Sequence, residues 1–180
     1  MSHYQLRCEM IVPKPIEEVY AMFENPYNLA IFTPPWLHFL VTSKEKVEMR
    51  LGAEIDYSFR WLGVPMYWRT RITSCNPPTR FGDEALRSPY IFGRHLHTFE
   101  AVEGGTLVRE SVEYKLPLGP FGRLAHALAV RRNLTAIFTF RQQALANHWG
   151  GGSRIAWPTV RWLAPQPSAP ETASPEGQSR

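Results

Sequence analysis

A chain of 180 residues with 44% hydrophobic and 13% aromatic side chains has the size of one ordinary domain and enough apolar material for a substantial core. Its apolar runs fall short of the ~18 residues of a membrane span, and the start MSHYQLRCEM has no basic stretch followed by an apolar one, so neither a span nor an export signal is expected. The net charge of +4 is uneven: residues 114–163 carry Lys115, Arg123, Arg131, Arg132, Arg141, Arg154 and Arg161 and no acid, yet form no basic arm or nucleic-acid motif, so no nucleic-acid partner is expected.

Residues 4–12 alternate Leu6, Cys8, Met10 and Val12 with Gln5, Arg7 and Glu9, the period of a strand with one buried face. Pro15 then opens a short amphipathic helix over 15–24, with Ile16, Val19, Tyr20 and Phe23 on one side, and Asn25-Pro26 stops it. A second helical piece is predicted over Tyr27–Phe32. Thr33-Pro34-Pro35 then forces an extended path into a strand over Leu37–Ser43.

Ile55, Tyr57, Phe59 and Trp61 alternate with polar residues, and so do Met66, Trp68, Thr70 and Ile72, which predicts a hairpin. With Gly63-Val64 as its turn, Phe59 faces Trp68, Tyr57 faces Thr70, and Asp56 faces Arg71 on the outer side, where Arg69 and Arg71 are read as solvated. Further strands are expected over Arg80–Leu86, Ile91–Val102 and Leu107–Leu116, the last two joined at Gly104-Gly105, with Asp83-Glu84 read as a solvated pair near a strand end.

From Arg123 to Trp149 the chain lacks Pro and Gly, predicting one long helix whose apolar stripe is Leu124, Leu128, Leu134, Phe138 and Leu145, with Arg131 intruding and His126 off the stripe. Gly150-Gly151-Gly152 ends it. The domain organisation that follows is one ligand-binding domain over 1–149, an aromatic and basic segment over 150–163, and a Pro-rich disordered tail over 164–180. In the middle segment Trp157 and Trp162 would either fold back as a flap or, with the basic helix, touch a membrane surface. Cys8 and Cys75 lie in strand-like segments without metal spacing; read as buried free thiols, they fit a cytoplasmic setting.

A strand, two short helices, a run of antiparallel strands and one long helix make an α+β layout. This order resembles the START-like (SRPBCC) superfamily, in particular its polyketide cyclase/dehydrase-like and lipid-transport-like members. The resemblance is carried by Pro15-Ile16-Glu17-Glu18-Val19-Tyr20, Thr33-Pro34-Pro35-Trp36, Ile55-Asp56-Tyr57, Pro65-x-x-Trp68-Arg69-Thr70-Arg71-Ile72, His95-x-His97-x-Phe99 and Gly105-Thr106. It implies a helix-grip fold, a curved antiparallel sheet around a long C-terminal helix, with an internal cavity. Members of the superfamily bind lipids, sterols, polyketides or aromatic compounds, and some catalyse cyclisation or dehydration; no universal catalytic signature transfers.

On that fold Tyr57, Phe59, Trp68, Thr70, Phe99, Val112 and Tyr114 would line the concave face, with Phe138 on the opposing helix. The same aromatic residues would equally fill a packed core. The sharpest polar feature is His95-x-His97, whose imidazoles share a face; with a Gly104-Gly105 turn, His97 lies opposite Val112, His95 opposite Tyr114, and Glu110 diagonal to His97. His97, Glu110 and His95 are therefore the candidate catalytic set, competing with a ligand-orienting network. Spacing supplies no further ligand for a metal, so neither metal nor redox cofactor is expected. Three functions stay open: a binder or carrier of a hydrophobic small molecule, a cyclase or dehydratase using His97, Glu110, His95 and Tyr114, and a membrane-associated lipid or quinone carrier.

Overall fold

The computed structural model describes residues 3–149 and 160–163. The glycine run at 150–152, Trp157 and the tail at 164–180 lie outside the described residues. Strands β1 (His3–Val12), β2 (Leu40–Val41), β3 (Glu54–Trp61), β4 (Val64–Asn76), β5 (Arg80–Arg87), β6 (Phe92–Val102), β7 (Gly105–Lys115) and β8 (Arg161–Leu163) form one sheet, in the order β2-β3-β4-β5-β6-β7-β1-β8. Every pairing is antiparallel, as expected where no helix intervenes between the later strands. Register shifts in the β4–β5 ladder, at Arg69/Thr70 and Ile72/Ser74, mark bulges of the kind that bend a sheet.

The first helix, α1 (Ile16–Glu24), buries Val19, Tyr20 and Phe23, the face predicted from its spacing. A 3₁₀ turn at Pro26–Ala30 follows. The strand expected over Leu37–Ser43 shrinks to Leu40–Val41, because Pro35–Leu37 closes a second 3₁₀ turn and His38 adopts a left-handed conformation with φ 45°.

Both central hairpins use a turn one residue earlier than expected. Leu62 and Gly63 take φ 50° and 82°, the paired positive values of a tight hairpin turn, which Gly63 adopts without a Cβ penalty. Tyr57 therefore faces Trp68, Phe59 faces Met66, Ile55 faces Thr70, and the outer pair is Asp56 with Arg69. Arg69 Nε reaches Asp56 Oδ1 at 2.7 Å and Arg71 Nη2 reaches Glu54 Oε1 at 2.7 Å, both solvent-exposed pairs. Glu103-Gly104 likewise turns β6 into β7, so His97 faces Glu110 directly and His95 faces Val112. Gly105 sits where the end of β1 crosses: a Cβ there would stand 2.0 Å from the Val12 carbonyl oxygen.

A helical stretch from Gly119 to His148 lies across the concave face as α2 (Gly119–Ala125), a π turn (His126–Val130) and α3 (Arg131–His148). The π turn accounts for a correction to the predicted stripe. Its wider repeat, more than 3.6 residues per turn, lets His126, Val130, Leu134 and Phe138 stack at four-residue intervals on the sheet side. Leu124 and Leu128 are consequently turned outward, 57% and 70% exposed, and His126 is turned inward. Arg131 is an exposed residue whose guanidinium lies 5.6 Å from the Trp162 ring centre.

The core has two parts. Val19, Tyr20 and Phe23 of α1 pack with Phe32, Phe81, Phe99, Val108 and Leu145, closing one end of the grip. Leu6, Cys8 and Phe138 form the other part, with Val112, Leu134, Ile137, Val160 and Trp162 against them. Trp162, weighed above as a membrane contact, is folded onto the domain. Its indole N–H donates to Thr135 Oγ1 at 3.0 Å, and its ring meets His126 edge-on at 5.4 Å. Among the described residues no helix is long and apolar enough to cross a membrane.

Candidate functional site

Between the sheet and the helix lies a cavity of about 440 Å³. Tyr57, Phe59, Trp68, Val112, Tyr114 and Phe138 line it, joined by Met66, Tyr90, Leu134 and Ile137. His95 and His97 also line it, alternation along β6 putting both imidazoles on the concave side. Two residues expected in the wall sit elsewhere. Phe99 is 3% exposed and packs beneath α1, with ring centres 5.4 Å from Tyr20 and 5.3 Å from Phe23. Thr70 is buried, and its hydroxyl points to Asp83 Oδ1 and to the Glu84 carbonyl.

The polar groups gather at one pole of the cavity. His95 Nε2 lies 3.1 Å and His97 Nδ1 3.4 Å from Glu110 Oε2, while Arg141 reaches from α3 to place Nε 3.2 Å from Glu110 Oε1. These are ion-pair distances without hydrogen-bond alignment: His95 Nε2, His97 Nδ1, Glu110 Oε2 and Arg141 Nε are all buried and unpartnered among the described residues. Asp83 completes the group, since β5 pairs it with His95; ligand atoms of Asp83, His95 and His97 lie within 4.8 Å of one another. Tyr114, expected opposite His95, pairs with Gly93 instead and has its ring contacts with Tyr4, Tyr90, His126 and Trp162.

The electrostatics follow from burial. Desolvation, reinforced by the charges of His95 and Arg141, holds the His97 imidazole well below its ordinary pKa and hence neutral. Burial pushes the Asp83 carboxyl up, only partly opposed by His95 and the Thr70 hydroxyl. Burial also acts to raise Glu110, but the Arg141 guanidinium and His95 outweigh it, so Glu110 is held below the usual carboxylate range. The Tyr90 phenol is pushed up to about 12 by desolvation. The site is thus an apolar chamber with an ionised carboxylate, a guanidinium, neutral imidazole and a carboxyl that resists ionisation at one end.

Arg141 was not among the candidate site residues, and Asp83, read with Glu84 as a solvated pair, instead faces the cavity and accepts from the Thr70 hydroxyl. Arg141 sits three residues after Phe138 and four before Leu145, a charge on the buried helix face, and that spacing was its only signal. Asp83 carried the signal of alternation, standing two residues after Phe81 on the inward face of β5, while Glu84 points outward to Arg94 at 2.6 Å.

No family model matches the sequence. No curated protein matches it either. Solved structures do resemble the fold. Protein CV1439 from Chromobacterium violaceum superposes with a TM-score of 0.62 at 17% identity, covering 81% of this chain and 96% of that one. The protein TTHA0849 from Thermus thermophilus gives 0.58 at 17% identity, over 80% of this chain and 98% of that one. Ara h 8.0201, a Bet v 1-like protein, gives 0.56 at 15% identity, over 81% and 99%. Together with the curved eight-stranded antiparallel sheet closed by a long C-terminal helix, these likenesses show that the chain has the helix-grip fold.

Proposed function

We propose that this protein binds or carries a hydrophobic small molecule, of lipid, polyketide or aromatic character, in the cavity between sheet and helix, as START-like proteins do. The observation that carries the reading is the chamber itself. At about 440 Å³ it is of ligand size, and its walls are aromatic and aliphatic apart from one polar pole that would orient a ligand's polar end. The helix surface at the mouth supports exchange with a lipid phase: Leu118 and Phe121 line the opening and are 75% and 76% exposed, with Arg123 beside them.

The test is native mass spectrometry of protein purified without added ligand, followed by thermal-shift screening of fatty acids, quinones and aromatic polyketides. A co-purifying adduct, or stabilisation by an apolar compound that Val112→Phe abolishes while the unliganded melting temperature is retained, supports binding in this cavity. No adduct, no stabilisation by any class and no effect of Val112→Phe would sink it.

A second reading, acid–base turnover of the bound molecule by a cyclase or dehydratase, is favoured by one arrangement: Asp83, His95, His97 and Arg141 face the chamber together, with Glu110 behind the histidines. It requires that His97→Gln abolish turnover of an identified polyketide while leaving its binding intact. Unchanged turnover removes His97 from the chemistry.

A further inference from the structure

The polar pole has the donor set and the spacing of a metal site. Asp83, His95 and His97 each offer a ligand atom of a kind that binds transition ions, and these atoms all lie within 4.8 Å of one another. Ligand atoms held at ~2.1 Å around a tetrahedral ion stand about 3.4 Å apart by geometry. Behind the imidazoles Glu110 Oε2 stands 3.1 Å from His95 Nε2 and 3.4 Å from His97 Nδ1, and these three atoms are buried without an aligned hydrogen-bond partner among the described residues. A structural hydrogen-bond network would use those lone pairs and protons, whereas here they share a point in space without aligning on each other.

The surroundings are built as supports. The donors stand on two adjacent strands, with Asp83 opposite His95, and Glu110 stands opposite His97 on the next, so backbone pairing sets their separation. Thr70 donates its hydroxyl to Asp83, Phe81 stacks on His97 at 4.4 Å, and Arg141 holds the second oxygen of Glu110. The cavity lies on the remaining side, where a bound molecule or water could take the open position of an ion.

We propose that Asp83, His95 and His97 form a binding site for one divalent first-row transition ion of the zinc type at the polar end of the cavity, with Glu110 behind the imidazoles. Imidazole and carboxylate donors without a thiolate favour such an ion over copper(I), and the two imidazoles favour it over calcium or magnesium. Three strand-borne ligands leave the ion's fourth position facing the chamber, so it would take the acidic or carbonyl end of a cavity ligand. Ligation engages the imidazoles that the acid–base reading needs free.

The experiment uses tag-free full-length chain, stripped with a chelator and titrated with Co²⁺ alone, then back-titrated with Zn²⁺. Expected is one Co²⁺ per chain with visible d–d absorption that Zn²⁺ displaces. His95→Gln and His97→Gln should each weaken binding by roughly tenfold or more, while His3→Gln and His38→Gln leave it unchanged. If the histidine variants fail to fold, Asp83→Asn, whose amide oxygen still accepts from Thr70, carries the test by the same loss. Absence of Co²⁺ uptake by the folded wild type, or uptake that survives in the His95, His97 and Asp83 variants, overturns the site. No organic ligand is present in the titration, so the outcome is independent of whether the cavity binds one.

Discussion

Arg141 and Glu110 meet inside the domain, guanidinium Nε 3.2 Å from carboxylate Oε1, one from the long helix and one from the centre of the sheet. Both are buried, at 7% and 3% exposure, and the guanidinium also lies over Phe32, 4.8 Å from the ring centre. This pair ties the helix to the sheet at the pole of the cavity. Its energetics set the first prediction.

Arg141→Met leaves a carboxylate buried without its counter-charge, a class of change that costs about 3–5 kcal/mol. Glu110→Gln/Arg141→Met removes both charges and should recover most of that loss. Urea denaturation of both variants and of Glu110→Gln gives the coupling as a double-mutant cycle. Additive losses would mean that the pair is not coupled.

The histidines set the pH dependence. Folding holds His97 and His126 below their ordinary value of 6.5, in both cases chiefly by desolvation. Their stabilising share is therefore present above pH 6.5 and is lost as pH falls from there toward the folded values, because the unfolded chain takes up protons first. In chelating buffer, unfolding free energy should decline below pH 6.5 with a slope of up to about 1.4 kcal/mol per pH unit for each proton. His97→Gln should flatten that slope, as measured by urea titrations between pH 8 and 5.

Asp83 works in the opposite direction. Its folded carboxyl is raised above 3.8, chiefly by burial, so its contribution is favourable below that value and is lost as pH rises through the folded pKa. At neutral pH, Asp83→Asn should therefore stabilise the metal-free protein, by on the order of 1 kcal/mol, while removing a donor from the cavity. Calorimetry at pH 7 and pH 4 should show the gain at the higher pH alone.

Trp162→Ala tests whether β8 is part of the fold's closure. The change removes the bond to Thr135 and the packing on His126 and Tyr114, with an expected loss of about 2 kcal/mol. Amide exchange should quicken along the β1 edge at Gln5–Arg7, where β8 pairs.

At the mouth, Phe121→Ser should leave stability within about 0.5 kcal/mol, since the ring is already exposed. The same change should reduce sedimentation with anionic vesicles if this surface exchanges ligand with lipid. Equal sedimentation of both proteins would exclude Phe121 from such a contact.

Alternation by itself determined which strand residues face inward. In a strand the side-chain period is two, so a turn placed one residue off shifts a hairpin's register by two and leaves each residue on its face. Hence Tyr57, Phe59, Trp68, His95 and His97 were legible as concave residues, and α1 and the order of elements were legible from spacing and from Pro and Gly. The partners were not. Whether His97 met Val112 or Glu110 depended on which residues turned at Glu103-Gly104, a local backbone choice that composition leaves open. The helix face was misread for a different reason, because the π turn at His126–Val130 changes the phase of everything before it and has no signature in apolar spacing. Asp83 shares its inward face with Phe81 by alternation, but its partner His95, like the meeting of Arg141 with Glu110, was set by how β5 pairs with β6 and how the helix packs on the sheet. Periodicity reports the face that a residue presents; only packing decides which faces meet, and the chemistry of this cavity lies in that meeting.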